Sequence, residues 1–174
     1  VQPSTTEAQA LRLMTDKYKE VIDDLGLAAK AAELGYTERE IVTIASIIQA
    51  EARLPEDFPK VARVIYNRLD DGEVLAMDST VAFANDVFTV FTTDEQRALD
   101  SPYNTYKVAG LPPGPINSPG ADAIEAALNP AEGSFQYFVT VNLDTGEMKY
   151  ADTLAQHERN VAEAQANGFG RDDS

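Results

Sequence analysis

The sequence predicts a mainly helical α+β domain with one small β-hairpin, preceded by a helical linker arm. Three observations predict it. Apolar residues recur every three or four positions through most of the chain, the period of a helix with one inward face. One segment, Phe135 to Val141, is instead rich in alternating aromatic and β-branched residues, and Asp144-Thr145-Gly146 turns it back into Glu147 to Tyr150. A single stretch, Ser101 to Gly120, holds five prolines and three glycines, which marks one long functional loop among the helices.

In chain order, residues 1 to 6 read as a frayed polar tail. Leu11, Met14, Tyr18, Val21, Ile22 and Leu25 mark an amphipathic helix from about Thr6 to Asp24, broken by Gly26. Leu27 to Leu34 form a short second helix ending at Gly35. This part is thin in apolar residues, so residues 1–36 are expected to be an arm or linker. The main domain is expected over 37–167, with 168–174 as a flexible tail. Thr37-Glu38-Arg39-Glu40 has capping-box spacing and opens the helix that contains Glu51. Pro55 and Pro59 mark a loop, and Phe58 to Leu69 form the next helix, with Gly72 as its stop. Arg68 falls among the inward residues of that helix and is expected to meet a buried carboxylate. Val74 to Met77 reads as extended, followed by a short helix from Ser79 or Thr80 to Ala84. Thr93-Asp94-Glu95-Gln96 opens another short helix to about Leu99. Ser118, with Pro119 behind it, is the expected cap of a helix to about Leu128. Asp152 or Thr153 caps a last helix to about Ala166, ended by Asn167-Gly168.

The 174 residues carry a formal charge of -15, which argues against nucleic acid, because phosphate binding needs clustered Lys and Arg. No cysteine is present, so disulfides, thiolate nucleophiles and thiolate metal sites are excluded. The single histidine, His157, sits in a helical pattern and is read as structural, which leaves no Ser-His pair and no histidine-rich metal site. No cofactor or metal is expected. No apolar run approaches the length of a membrane span. The chain begins at Val1 rather than Met and is expected to be a piece of a longer protein.

Ile41 to Ala52 is the segment that points to chemistry. With about 100° per residue, Ile44, Ala45, Ile48 and Ala52 cluster with Ile41, and Ile47 flanks them. Glu51 falls inside this apolar arc and Gln49 falls off it. A carboxylate among apolar side chains loses solvation, so its acid form is favoured and its pKa rises. Glu51 is therefore the candidate general acid.

Ala45-Ser46-Ile47-Ile48-Gln49-Ala50-Glu51 is followed by Val61 to Leu69 and by the Asp78-Ser79-Thr80-Val81 turn. Then come Tyr103-Asn104-Thr105-Tyr106, Gly110-Leu111-Pro112-Pro113-Gly114-Pro115-Ile116, Pro119-Gly120, Tyr137-Phe138-Val139 and the Leu154 to His157 helix. In this order the segments resemble the endolytic murein transglycosylase family, the MltG/YceG-like proteins, over about residues 37 to 165. The family pattern commonly has two acidic residues in the first segment. Here the first is Gln49, and Glu51 stands at the position of the catalytic glutamate.

The resemblance implies a lytic transglycosylase of peptidoglycan. Such an enzyme breaks the β-1,4 bond between N-acetylmuramic acid and N-acetylglucosamine inside glycan strands and leaves 1,6-anhydro ends, with Glu51 as acid and then base. It implies Asp78, Tyr103, Asn104, Thr105, Tyr106, Gly114 and Ile116 as substrate-groove positions. Residue by residue, Asp78 also fits a helix cap and Asn104 a loop brace. Pro112, Pro113 and Pro115 stiffen the groove wall, and Gly114 allows close approach to a ligand. The implied partners are peptidoglycan strands and proteins of wall synthesis. The implied location is the extracytoplasmic face of the membrane, reached through an N-terminal anchor that lies outside these residues. Two other readings fit the same residues. One is a hydrolytic muramidase with Asp57 or Asp78 as the base that activates water; the other is a peptidoglycan-binding domain without turnover.

Overall fold

The computed structural model describes residues 5–89 and 91–168. The chain divides into two compact units, Val1–Glu38 and Arg39–Ser174. Most of the expected tails, residues 1–4 and 169–174, lie outside the described residues.

The first unit holds α1 (Glu7–Leu25) and α2 (Leu27–Leu34). Thr6 is a cap rather than part of a frayed tail. Its hydroxyl accepts from the Gln9 amide at 3.3 Å, and its own amide donates to Gln9 Oε1 at 2.9 Å, so two otherwise unsatisfied donors are paired. Gly26, at φ 65°, ends α1 in the left-handed conformation. The apolar spacing of α1 does not translate into burial: Leu11 and Met14 are each 63% exposed. Periodicity says which face is apolar and not whether anything covers it.

α3 (Glu38–Glu51) leads into the second unit, which contains a mainly helical α+β fold. α3 buries Ile41, Ile44, Ala45, Ile47 and Ile48, and with them the polar Thr43 and Ser46. After a 3-10 turn at Pro55–Asp57, α4 (Phe58–Asp70) buries Phe58, Val61, Val64 and Ile65. It stops at Gly72, whose φ is 70°. The short α5 (Asp78–Ala84) and α6 (Asp94–Arg97) follow. α7 (Ala121–Leu128) packs on α4, where the Tyr66 hydroxyl donates to the Ala127 carbonyl at 2.7 Å. Strands β1 (Tyr137–Asn142) and β2 (Glu147–Ala151) form an antiparallel hairpin with Phe138 opposite Tyr150 and a bulge between Thr140 and Asn142. α8 (Leu154–Ala166) covers one face of it, with Val139, Val141, Val161 and Ala164 as the apolar contact.

Two local expectations are corrected. Ser118 is not the cap of α7; Gly120 is, and its amide donates to Gln49 Oε1 at 3.1 Å. Val74 to Met77 is not an extended strand. Ala76 has φ 48°, and the Ala76 and Met77 amides donate to the carbonyl and hydroxyl of Thr105 at 2.8 and 3.0 Å. Thr105, 28 positions beyond Met77, satisfies that backbone with its carbonyl and its side chain in place of a neighbouring strand.

Candidate active site

Four polar contacts fasten the proline-rich loop along α3. Arg39 Nη2 donates to the Pro113 carbonyl at 3.0 Å. The Ile116 amide donates to Ser46 Oγ at 3.0 Å, and Asn117 Nδ2 to the Ser46 carbonyl at 2.7 Å. The Gly120 amide reaches Gln49 last. Residues 113 to 120 thus descend beside 39 to 49 in the same direction, and the fully buried Ser46 has its polar atoms satisfied by the loop and by the Thr43 carbonyl. Gln49 is exposed and serves the start of α7, which gives it a structural use off the inward arc.

Glu51 ends α3. Both the hydroxyl and the amide of Ser79 donate to the same carboxylate oxygen, Oε1, at 2.5 and 3.2 Å. The amide belongs to the first turn of α5, where helix N–H groups lack intrahelical partners. Burial pushes the Glu51 carboxyl above its ordinary value of 4.5, while the two bonds from Ser79 oppose that rise. Asp78 adds to the rise, and Arg68 works against it. The position at the C-terminal end of a helix also disfavours negative charge.

Ala50 and Ser79 both line a cavity of about 820 Å3, together with Ala82, Phe83, Phe88, Ile116 and Asn117 among others. Its wall is mostly apolar with a few polar groups, the usual make-up of a ligand site. Ser79 is the link between Glu51 and this space.

The other sequence-expected positions fall into three groups. Ile116 lines the cavity, and Tyr103 backs it, with its ring 4.8 Å from that of Phe83. Asp78 and Tyr106 belong to a polar cluster next to Ser79. The Tyr106 hydroxyl donates to Asp78 Oδ1 at 2.8 Å, Arg97 Nη2 donates to both Asp78 oxygens at 3.0 and 3.1 Å, and Thr92 also donates to Asp78. The Tyr106 hydroxyl is pushed well above its ordinary pKa, first by burial and then by the charge and hydrogen bond of Asp78. Met77 precedes α5 as its cap position, so Asp78 does not cap that helix.

Asn104 and Thr105 form the third group, at 0% and 1% exposure. Asn104 Nδ2 donates to the Arg97 and Leu99 carbonyls, both at 2.8 Å, and its Oδ1 accepts from the Tyr106 amide at 3.1 Å. Thr105 Oγ1 lies 2.8 Å from Thr80 Oγ1. In this conformation both side chains brace the loop and α5 and turn no surface to a ligand. Gly114 is buried as well. A Cβ there would come within 2.6 Å of Arg39 Nη2, so the close approach it permits is to a guanidinium of the same unit.

Arg68 departs from its expectation. It donates to the Gln136 carbonyl at 2.7 Å and to the Leu75 carbonyl, and its guanidinium lies 5.2 Å from the centre of the Tyr137 ring. Its hydrogen bonds go to backbone carbonyls, and it acts on the Glu51 carboxyl through charge alone. His157 stacks on Tyr137 at 5.1 Å between ring centres, and burial, with Arg68 nearby, lowers its pKa. Asp57 is held by Lys60 at 3.4 Å and by the Tyr150 hydroxyl at 3.1 Å. Among the described residues, no group of three or more His, Cys, Asp or Glu is placed to hold a metal ion, and no helix is long and apolar enough to cross a membrane.

Periodicity singled out Glu51 but missed Ser79 as its partner, and missed Arg97 and Thr92 as the partners of Asp78. Ser79 stands in the quoted Asp78-Ser79-Thr80-Val81 segment, yet nothing in a helical pattern reports a partner 28 residues away.

The chain matches curated proteins named endolytic murein transglycosylase. It is 36% identical to that of Streptococcus pneumoniae over 132 residues, 73% of this chain and 24% of the relative. To that of Bacillus subtilis it is 38% identical over 120 residues, 69% of this chain and 33% of the relative. The chain thus spans about a quarter to a third of the length of these relatives. A solved structure of a YceG-like protein from Listeria monocytogenes superposes with a TM-score of 0.80 at 33% identity, covering 91% of this chain and 51% of that one. The family model described as YceG-like matches residues 1–163, and by that match and these relatives the chain belongs to the YceG-like family.

Proposed function

We propose that this domain is a lytic transglycosylase that cleaves the bond between N-acetylmuramic acid and N-acetylglucosamine inside peptidoglycan strands. The observation that carries the reading is the Glu51 carboxyl. Burial raises its pKa, and its hydrogen-bond partner Ser79 lines a cavity of about 820 Å3, in a chain whose relatives bear the transglycosylase name. A carboxyl whose acid form is favoured by its surroundings is suited to protonating a glycosidic oxygen.

In the proposed reaction, Glu51 gives its proton to the glycosidic oxygen as the C1–O bond of the muramyl sugar breaks. The C6 hydroxyl oxygen of the same sugar then bonds to C1, and its proton passes to the Glu51 carboxylate. The acid is regenerated, no water is consumed, and the product ends in a 1,6-anhydro ring. Tyr103 and Ile116 flank the glycan, Asp78 and Tyr106 form the polar wall, and Gly114, Asn104 and Thr105 shape the loop from behind. On this reading the full-length protein works on the extracytoplasmic side of the membrane. It is anchored there by a segment outside these residues, acts beside wall-synthesis proteins and terminates glycan strands.

The hydrolytic alternative needs a second carboxylate free to activate water. Its two candidates are both engaged, Asp57 by Lys60 and Tyr150, and Asp78 by Arg97, Tyr106 and Thr92. A carboxylate already occupied by protein donors is not free to orient an attacking water, which favours the lyase.

Mass spectrometry of purified strands after digestion tests the proposal. Internal fragments with anhydro ends, lost in Glu51→Gln by about 100-fold or more, are the expected result. Reducing ends would replace the lyase by the hydrolase, and intact strands that still bind the protein would make it a binding domain.

A further inference from the structure

We propose that Ser79 is the positioning residue of Glu51: its hydroxyl and amide claim Oε1 as an acceptor, so that Oε2 carries the proton and delivers it. The proposal rests on the reading of Glu51 as proton donor. Its basis is geometric. Two donors from one residue converge on one carboxyl oxygen, at 2.5 and 3.2 Å. A backbone N–H has no acceptor role, so the oxygen it faces is the carbonyl-like one when the group is protonated.

Ser79 is itself held on both sides. Asp78 before it is fixed by Arg97, Thr92 and Tyr106, and Thr80 after it donates to the Met77 carbonyl at 2.8 Å and meets Thr105. The turn therefore presents its hydroxyl in one place at no cost in reorganisation when the substrate arrives. Ser79 and Ala50, the neighbour of Glu51 in the chain, both line the cavity, so the residue that fixes Oε1 is itself in contact with that space.

The groups that act electrostatically on Glu51 set the background against which Ser79 works. Asp78 favours the protonated form, Arg68 favours the carboxylate, and the Tyr106 phenol feels the Glu51 charge in return. Both hydrogen bonds from Ser79 favour the carboxylate. They hold down a pKa that burial alone would take higher, and so keep the group able to release its proton and take it back.

The test compares wild type, Ser79→Ala and Ser79→Thr. Ser79→Ala keeps the amide and removes the hydroxyl; Ser79→Thr restores it. Carbon-13 NMR of the Glu51 carboxyl should show its titration moving to higher pH in Ser79→Ala and returning in Ser79→Thr. The alkaline limb of kcat should move the same way. In Ser79→Ala, kcat should fall about tenfold with KM little changed, the size of one lost charge-assisted hydrogen bond. An unchanged Glu51 titration overturns the proposal, as does a loss of activity without any shift of the pH profile. The NMR shift in Ser79→Ala beside a wild type that yields no anhydro ends leaves the positioning intact and removes the transglycosylase reading. An inactive Glu51→Gln beside an unchanged titration in Ser79→Ala does the reverse.

Discussion

Arg97 grips Asp78 with two guanidinium nitrogens, Nε at 3.2 Å and Nη2 at 3.0 Å, and lays its charged plane 4.7 Å from the centre of the Tyr106 ring. One cation thus ties the start of α5 to the Tyr103–Tyr106 segment, and Asp78 also accepts from Thr92 and Tyr106. The pair is partly open to water, 35% and 23% exposed in the side chains, so its Coulomb energy is screened. We expect Arg97→Ala to cost about 1 kcal/mol, and a double-mutant cycle with Asp78→Asn to show a coupling of about 0.5–1 kcal/mol. Denaturant unfolding of the four proteins measures it. Strict additivity would mean that the cluster holds nothing.

The Glu51 carboxyl makes stability depend on pH in a stated direction. Its folded-state pKa is raised above the ordinary 4.5, so the fold binds this proton more tightly than the unfolded chain does. Its contribution is fully present below the unfolded value and is lost as pH rises through the folded one. Glu51→Gln, which stays neutral throughout, should melt higher than wild type at neutral pH. The two melting curves should converge below about pH 4. A constant difference between them from pH 4 to 8 would show that Glu51 is an ordinary carboxylate.

Asp57 separates the two enzyme readings. Burial and the nearby Asp57 push the Tyr150 phenol far above its ordinary pKa, and its hydroxyl donates to Asp57. Asp57→Asn keeps the shape and removes the charge. It should lower stability by about 1 kcal/mol, through loss of the Lys60 pair and one charge-assisted bond. Product chemistry should be unaffected: anhydro ends at near wild-type rate. Loss of cleavage at unchanged melting temperature would instead make Asp57 the hydrolytic base.

Gly114 gives a prediction about the loop. Because a Cβ there collides with the tip of Arg39, Gly114→Ala should displace that side chain and break its bond to the Pro113 carbonyl. The tip of an arginine moves cheaply, so the expected cost is about 1 kcal/mol or less. Arg39→Ala should cost about the same, and adding Gly114→Ala to it should cost little more. Additive losses measured by thermal melting would place the clash elsewhere.

Local pattern was enough for much of this fold. The capping spacing at Thr93 and the glycine stop at Gly72 reappear in the structure. So do the alternation that marks the hairpin and the stripes that mark α3 and α4. Each is encoded within a few residues of where it acts. Glu51 was legible for the same reason, since its place on an apolar arc depends only on neighbours three and four positions away. Ser118 misled because serine and proline make a helix start locally attractive, whereas the Gln49 side chain satisfies the amide of Gly120 from another helix.

By itself the sequence determined the helical α+β class, the hairpin and the place of Glu51 on an apolar arc, because helical and strand periods make the facing of a side chain a local property. Only the tertiary structure decided which groups meet. Ser79 lies 28 residues from Glu51, Arg97 lies 19 from Asp78, and Ile116 lies 70 from Ser46. Such pairings follow from chain paths that put distant donors and acceptors within 3 Å. They come into being when the core closes and leaving a buried polar group unpaired becomes costly.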